Sequence, residues 1–351
     1  MTRPIRTGLI GCGKIARTHA AALATLPSAD FVACCDSDES RVTAFAQQHH
    51  VPKTFTDPET MLASGEIDAV LVCTPHPSHA ALVVLAAKHG VHVLCEKPMT
   101  IDLAQADQMI AAADEAGITF GVVFQRRFWP AAQRIREAID TGRLGQLTTG
   151  ECSVRIWRPE SYFASDPWRG TWANEGGGVL MNQAIHAVDQ FQWFMGPAVE
   201  VSGRYATLLH GDYIDVEDTA VATVTFANGA LGILHAASTI SPDLGFRVAV
   251  YGSSGAAASV WEPREGQQGF NDVWTFPDEE PHRQSWETDE RGNPGSPTFH
   301  HLQLENFIDA VATNRDPLIT GREARKSLEI ILALYRSSET GAPVKLPMGD
   351  A

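Results

Sequence analysis

Ile5-Arg6-Thr7-Gly8-Leu9-Ile10-Gly11-Cys12-Gly13-Lys14-Ile15-Ala16 passes from an apolar run through a glycine turn into an alanine-rich segment, an order that predicts strand, tight turn and helix. Gly11, Gly13 and Ala16 stand at G-x-G-x-x-A spacing. In that pattern the first glycine turns the chain sharply, the second lets backbone approach a pyrophosphate, and the small third residue keeps the helix close to the strand. The N–H groups and dipole at the start of that helix favour phosphate. Asp36 lies 20 residues beyond Ala16, at the end of a second apolar run, Phe31-Val32-Ala33-Cys34-Cys35. A carboxylate there accepts hydrogen bonds from an adenosine ribose and repels a 2′-phosphate, so NAD is the expected cofactor and NADP the disfavoured one. Arg41 is the countervailing residue, a cation that could reach a 2′-phosphate.

Outward from this stretch, helical and strand-like segments alternate. Residues 39–48 read as a helix, Pro52 and Pro58 punctuate a short strand and another helix, and residues 67–73 form a nearly continuous apolar run that ends at Thr74-Pro75. Such a run suits a parallel strand covered on both faces. Helices over 80–88 and 103–116 and strands over 91–95 and 119–123 complete the series. Connections of only a few residues make this a doubly wound parallel sheet, a Rossmann α/β domain over residues 1–124.

Ligands of such sheets lie beyond the carboxyl ends of the strands, which selects residues 11–13, 74–79 and 96–98. His76 and His79 have a spacing that suggests a metal, but no third ligand is near in sequence and a metal usually takes three or four. No metal is therefore expected; either histidine can cap a helix start or line the cofactor cleft. Lys97 follows a buried strand, where partial desolvation lowers an ammonium pKa and lets it exchange a proton with a substrate hydroxyl. Pro98 admits a cis Lys97–Pro98 bond.

From Gln125 the texture changes. Residues 130–141 read as a linking helix, and strands fit 147–157, 199–209, 218–226, 230–238 and 246–251, with Asn228-Gly229 a hairpin signal between two of them. Successive hairpins make a mainly antiparallel sheet, so residues 125–351 form a separate α+β domain. One helix, over 179–195, interrupts the strands after Gly176-Gly177-Gly178. On it Asn182, His186 and Asp189 share a face. His186 can take a proton at neutral pH, Asn182 can orient a hydroxyl, and Asp189 can fix the imidazole tautomer. Trp157, Trp168, Trp172 and Arg169 cluster just before it, a combination that suits a polyhydroxy substrate. Residues 252–297, rich in Gly, Pro and acidic residues, read as a long excursion from the sheet, and helices over 302–313 and 324–338 close the chain.

The 351 residues carry a formal charge of −15, which argues against nucleic-acid or anionic-membrane partners. No apolar run approaches the roughly 20 residues of a spanning helix, and no signal-peptide pattern opens the chain, so a cytoplasmic location is expected. Its 6 cysteines form no C-x-x-C pair and read as reduced, buried apolar residues.

Together these residues resemble the Gfo/Idh/MocA family of glucose–fructose oxidoreductase, inositol dehydrogenase and rhizopine-catabolism proteins. The likeness rests on Gly11-Cys12-Gly13-Lys14-Ile15-Ala16, Cys73-Thr74-Pro75 with His79, Glu96-Lys97-Pro98, and Gly176-Gly177-Gly178 followed by Asn182 and His186. It implies a nicotinamide dinucleotide between the two domains, with Gly11, Cys12, Gly13, Lys14, Ile15, Asp36, Thr74, Pro75, His79, Glu96 and Lys97 as its binding set. It also implies Lys97 and His186 at the reacting carbon, and an open sheet that commonly makes a dimer or tetramer contact. The expected reaction is NAD-linked oxidation of a secondary alcohol on a sugar, sugar derivative or cyclitol, with Asn182, Arg169, Arg127 and Trp168 on the substrate. Many sugar- and inositol-oxidising members carry Asp where this chain has Asn182, and an amide cannot be a general base. The proton must then go to His186 or Lys97. An NAD-recycling glycoside hydrolase and a non-catalytic dinucleotide sensor are the alternatives with the same fold.

Overall fold

The computed structural model describes residues 3–166, 168–277 and 299–349. The chain divides into two compact units, residues 1–124 with 300–325 and residues 125–299 with 326–351. The first begins β1 (Ile5–Ile10), α1 (Lys14–Leu23), β2 (Ala29–Cys35), α2 (Glu39–His49), β3 (Lys53–Phe55), α3 (Pro58–Ala63) and β4 (Ala69–Val72). It continues α4 (His79–Lys88), β5 (His92–Cys95), α5 (Leu103–Ala116) and β6 (Phe120–Val122). The six strands are parallel in the order β3-β2-β1-β4-β5-β6, the doubly wound arrangement expected. Every residue of β4 is buried, which is why its sequence is apolar without alternation.

Helix starts in this unit are of two kinds, capped by an Asp side chain or, in α1 and α4, without a side-chain cap. Asp38, Asp57 and Asp102 each accept a hydrogen bond from the backbone N–H three residues on, capping α2, α3 and α5. α1 starts at Gly13 with no side-chain cap and no acidic residue in its first turn.

The second unit contains α6 (Pro130–Asp140), β7 (Leu147–Arg155), α7 (Glu160–Phe163), α8 (Trp172–Glu175), a π-helical turn (Leu180–Ala184) and α9 (Ile185–Met195). Strands β8 (Ala198–Ala206), β9 (Thr219–Phe226), β10 (Leu231–Ala237), β11 (Gly245–Gly252), β12 (Ala257–Glu262) and β13 (Phe270–Thr275) follow. The chain closes with α10 (His300–Thr313), α11 (Gly321–Thr340) and β14 (Val344–Lys345). The eight-stranded sheet runs β13-β12-β11-β7-β10-β9-β8-β14, antiparallel except for the β7–β10 pair. α9 lies against one face of it. Phe191 packs edge-on against Phe226 at 5.2 Å, and a Cβ at Gly232 would meet the Phe191 ring at 2.5 Å. The opposite face is left open, with Val221, Leu231 and Ile233 exposed.

Three features differ from the sequence reading. Residues 300–325 pack with the first unit, because Leu304, Phe307 and Ile308, three and four apart on α10, join the core of Leu9, Ala16, Ala20, Leu71 and Leu94. Within 252–277 the expected excursion instead holds β12 and β13; residues 278–297 lie outside the described residues. The helix expected over 179–195 begins as a π turn. All six cysteines are buried thiols, and burial pushes Cys35 up to about 12, away from the reactive thiolate. No helix among the described residues is long and apolar enough to cross a membrane.

Candidate active site

In the first unit the glycine turn is fixed from both sides. Gly11 has φ +93°, and a Cβ there would lie 2.9 Å from the Cys73 carbonyl, so only glycine fits. Gly13 has no heavy atom within 4 Å of an added Cβ, leaving open space over the uncapped start of α1. These are the features a pyrophosphate needs: approachable backbone, unsatisfied N–H groups and the positive end of a helix. Asp36 is buried at the end of β2, where Oδ2 accepts from Cys12 N at 2.9 Å and Oδ1 from Asp38 N at 3.0 Å. Its carboxylate therefore shapes the turn as well as charging the cleft. Arg41 Nη1 stands 3.2 Å from Asp36 Oδ1, so the expected cation is already paired with the expected anion.

Thr74, Pro75 and His79 form one clasp. The His79 nitrogens face the Thr74 carbonyl at 2.7 Å and the Pro98 carbonyl at 2.9 Å, tying the turn after β4 to the turn after β5. His79 is fully buried and burial lowers its pKa, so its ring supports these loops rather than meeting solvent. The Lys97–Pro98 bond is cis and Lys97 is half-buried.

Glu96 Oε2 accepts from Lys97 N at 3.1 Å, and Oε1 faces His19 Nε2 at 2.6 Å. Burial alone would raise the Glu96 carboxyl; hydrogen bonding and charge from His19, with charge from His300 and Lys97, outweigh it and hold the group at about 2. His19, Glu96 and His300 place ligand-type atoms within 4.8 Å of one another. Ligands bound to one tetrahedral ion at about 2 Å sit roughly 3.3 Å apart, so the 2.6 Å contact is a hydrogen bond that ties α1 to the Lys97 turn. Sequence reasoning missed His19. The available signal was a histidine on the face of α1 that also bears Ala16 and Leu23.

In the second unit the π turn sets the register of the polar face. Asn182 lies within this turn and His186 in the first turn of α9. The backbone of this turn is held by Glu217. Its Oε2 accepts from Gly178 N at 2.6 Å, and its Oε1 accepts from Leu180 N at 2.9 Å and from the Tyr335 hydroxyl at 3.0 Å. Burial pushes this carboxyl up to about 7, against the lowering effect of those hydrogen bonds.

Asn182 Nδ2 donates to Glu175 Oε1 and, at 3.2 Å, to the Tyr162 hydroxyl. Gln183 Nε2 at 2.8 Å and Arg169 Nη1 donate to the same hydroxyl. Glu175 is 1% exposed, and its Oε2 accepts from Gly170 N at 2.6 Å. Arg169 also lies over the rings of Tyr162 and Trp168, at 4.3 and 4.5 Å. Trp157 packs on His210 and Trp172 on Tyr205 and Tyr335, so the expected tryptophan cluster is three separate contacts.

Two expected roles are replaced. Arg127, assigned to substrate, is 1% exposed and clamps Asp189 through two 2.7 Å bonds. Asp189, assigned to the imidazole, gives its oxygens to Arg127 and to Ser327 Oγ at 3.1 Å. A bidentate guanidinium pair is the stronger arrangement, and breaking it would leave a buried charge uncompensated.

Comparison with known proteins follows the same division. A model of the Gfo/Idh/MocA oxidoreductase family's NAD-binding Rossmann fold matches residues 5–124, and one of that family's C-terminal alpha/beta domain matches residues 136–346. The chain is 28% identical to myo-inositol 2-dehydrogenase of Thermotoga maritima, over 97% of this chain and 98% of that protein. It is 27% identical to D-glucoside 3-dehydrogenase of Escherichia coli, over 98% of each. Among solved structures, the WlbA dehydrogenase of Bordetella pertussis in complex with NADH and UDP-GlcNAcA superposes with a TM-score of 0.87 at 32% identity, covering 99% of this chain and 100% of that one.

Proposed function

This chain belongs to the Gfo/Idh/MocA oxidoreductase family, and from that premise we propose that it is an NAD-linked dehydrogenase acting on a secondary alcohol of a sugar, sugar derivative or cyclitol. The observation that carries the cofactor side is the uncapped N-terminus of α1 beneath the open space at Gly13, directly after the glycine turn. Gly11, Cys12, Gly13, Lys14 and Ile15 hold the pyrophosphate there, and Asp36 receives the ribose and selects NAD over NADP.

When bound, the nicotinamide supplies the hydride acceptor. Lys97 holds the substrate hydroxyl oxygen and stabilises its developing charge. His186 takes the hydroxyl proton, because the Asn182 amide cannot, and Asn182, Arg169 and Trp168 orient the sugar. The open face of the second sheet, with Val221, Leu231 and Ile233 exposed, is the contact of a homodimer or homotetramer.

The test is the appearance of reduced nicotinamide when purified protein and NAD, or separately NADP, meet aldoses, sugar acids, anhydrosugars, cyclitols and UDP-GlcNAcA, the sugar nucleotide of the Bordetella complex. Turnover with one class and NAD is expected. Silence across the panel with tight cofactor binding retained overturns the assignment.

A further inference from the structure

Glu175 is a carboxylate buried at the end of α8, seven residues before Asn182. Both of its oxygens accept hydrogen bonds, Oε2 from Gly170 N at 2.6 Å and Oε1 from Asn182 Nδ2. An amide facing an accepting carboxylate oxygen can present only its nitrogen; turned over, Oδ1 would oppose that oxygen, lone pair against lone pair. Nδ2 also contacts the Tyr162 hydroxyl at 3.2 Å, a group that Gln183 and Arg169 approach as well. The Asn182 amide is thus locked with its nitrogen toward Glu175 and Tyr162 and its Oδ1 at the opposite end of the amide.

From this geometry we propose that Glu175 is a positioning residue for the reaction. It sets Asn182 as a neutral hydrogen-bond acceptor for the substrate hydroxyl, with a fixed negative charge one hydrogen bond behind it. The inference rests on the dehydrogenase reading and deepens it. An acceptor at 182 aligns the O–H bond without competing for its proton, which leaves His186 as the base. Electrostatically, the negative charge stands at position 175 and the neutral acceptor at position 182.

The test exchanges the two groups. In Glu175→Gln an amide faces an amide, the orientation of Asn182 is no longer enforced, and kcat is expected to fall by about 30-fold, the effect of losing one hydrogen bond to a charged group, with NAD affinity unchanged. In Asn182→Asp two carboxylates share one hydrogen bond only while one is protonated, so kcat/KM gains a descending limb as pH rises. The double variant E175Q/N182D restores a donor facing a carboxylate; kcat above that of either single variant and loss of that limb are expected. Wild-type kcat in E175Q, or a folded double variant no better than either single one, overturns the proposal.

A second readout separates this inference from the function. In protein labelled with 15N-asparagine, the Asn182 side-chain amide protons, assigned by loss in Asn182→Ala, are expected to be protected from exchange and to lose that protection in E175Q. Equal protection in both proteins overturns the lock whether or not a substrate is turned over. Failure of the wild type on every substrate, with protection as expected, counts against the dehydrogenase reading alone.

Discussion

At the scale of single residues, the two units use buried carboxylates in opposite ways. Glu96 is held at about 2 in the first unit because hydrogen bonding and charge from His19 outweigh burial, whereas burial of Glu217 in the second outweighs its hydrogen bonds and raises it to about 7. Glu96 also holds the backbone N–H of Lys97, so the lysine starts from a fixed point. Lys97→Ala is expected to reduce kcat at least a thousandfold on the order of a lost acid–base and charge-stabilising group, with NAD affinity within twofold by fluorescence titration. Asp36 combines two functions, and replacing it separates them. Asp36→Ser should shift the kcat/KM ratio toward NADP by about a hundredfold, as Arg41 is released from its pair. It should also weaken both cofactors, because Cys12 N loses its acceptor. An unchanged ratio would exclude Asp36 as the discriminating group.

The element on which the substrate side depends is the π turn leading into α9. Its irregular start is stabilised from outside, by Glu217 on the chain entering β9 and Tyr335 on α11. Gly178 leaves room for this, since a Cβ there would lie 1.9 Å from the Glu217 carbonyl oxygen. Because the folded pKa of Glu217 is raised from 4.5 to about 7, the native state holds a proton that the unfolded chain has released between those values. Its contribution to stability is complete below pH 4.5 and declines as pH rises through 7, by roughly 3 kcal/mol at most for a shift of this size. Denaturant unfolding across pH 4–8 is expected to show that decline in wild type and a flatter profile in Glu217→Gln. Parallel profiles would mean that Glu217 is ionised throughout. Within α9 the Arg127–Asp189 clamp fixes the same helix near its middle.

For the whole molecule, the open sheet face is the feature that a monomer does not explain. Strands β9 and β10 alternate buried and outward residues, yet Val221, Leu231 and Ile233 on the outward side are apolar. Ile233→Glu together with Leu231→Lys is expected to convert the oligomer to monomer by analytical ultracentrifugation while NAD still binds, since neither residue is near the glycine turn in sequence or belongs to the same unit. A wild-type protein that sediments as a monomer would remove the oligomer from the proposal.

What was legible in the sequence is what repeats locally. The parallel sheet followed from apolar runs alternating with helical segments, the glycine turn from its spacing, and the β9–β10 hairpin from Asn228-Gly229, because strand and helix periods and turn chemistry are written within a few residues. The proposed pair Asn182 and His186 was picked out by helical spacing alone. What the tertiary structure alone decided is which partner each polar group takes. Arg127 and Asp189 are 62 positions apart and Gly178 and Glu217 are 39 apart, and no period connects them. The core that α10 joins was equally hidden, since an amphipathic helix announces a buried face without saying against what. Local pattern specifies elements because backbone hydrogen bonding and side-chain alternation are short-range. The site depends on burial, which turns each charged or polar group into a demand for a specific partner that only the folded chain can supply.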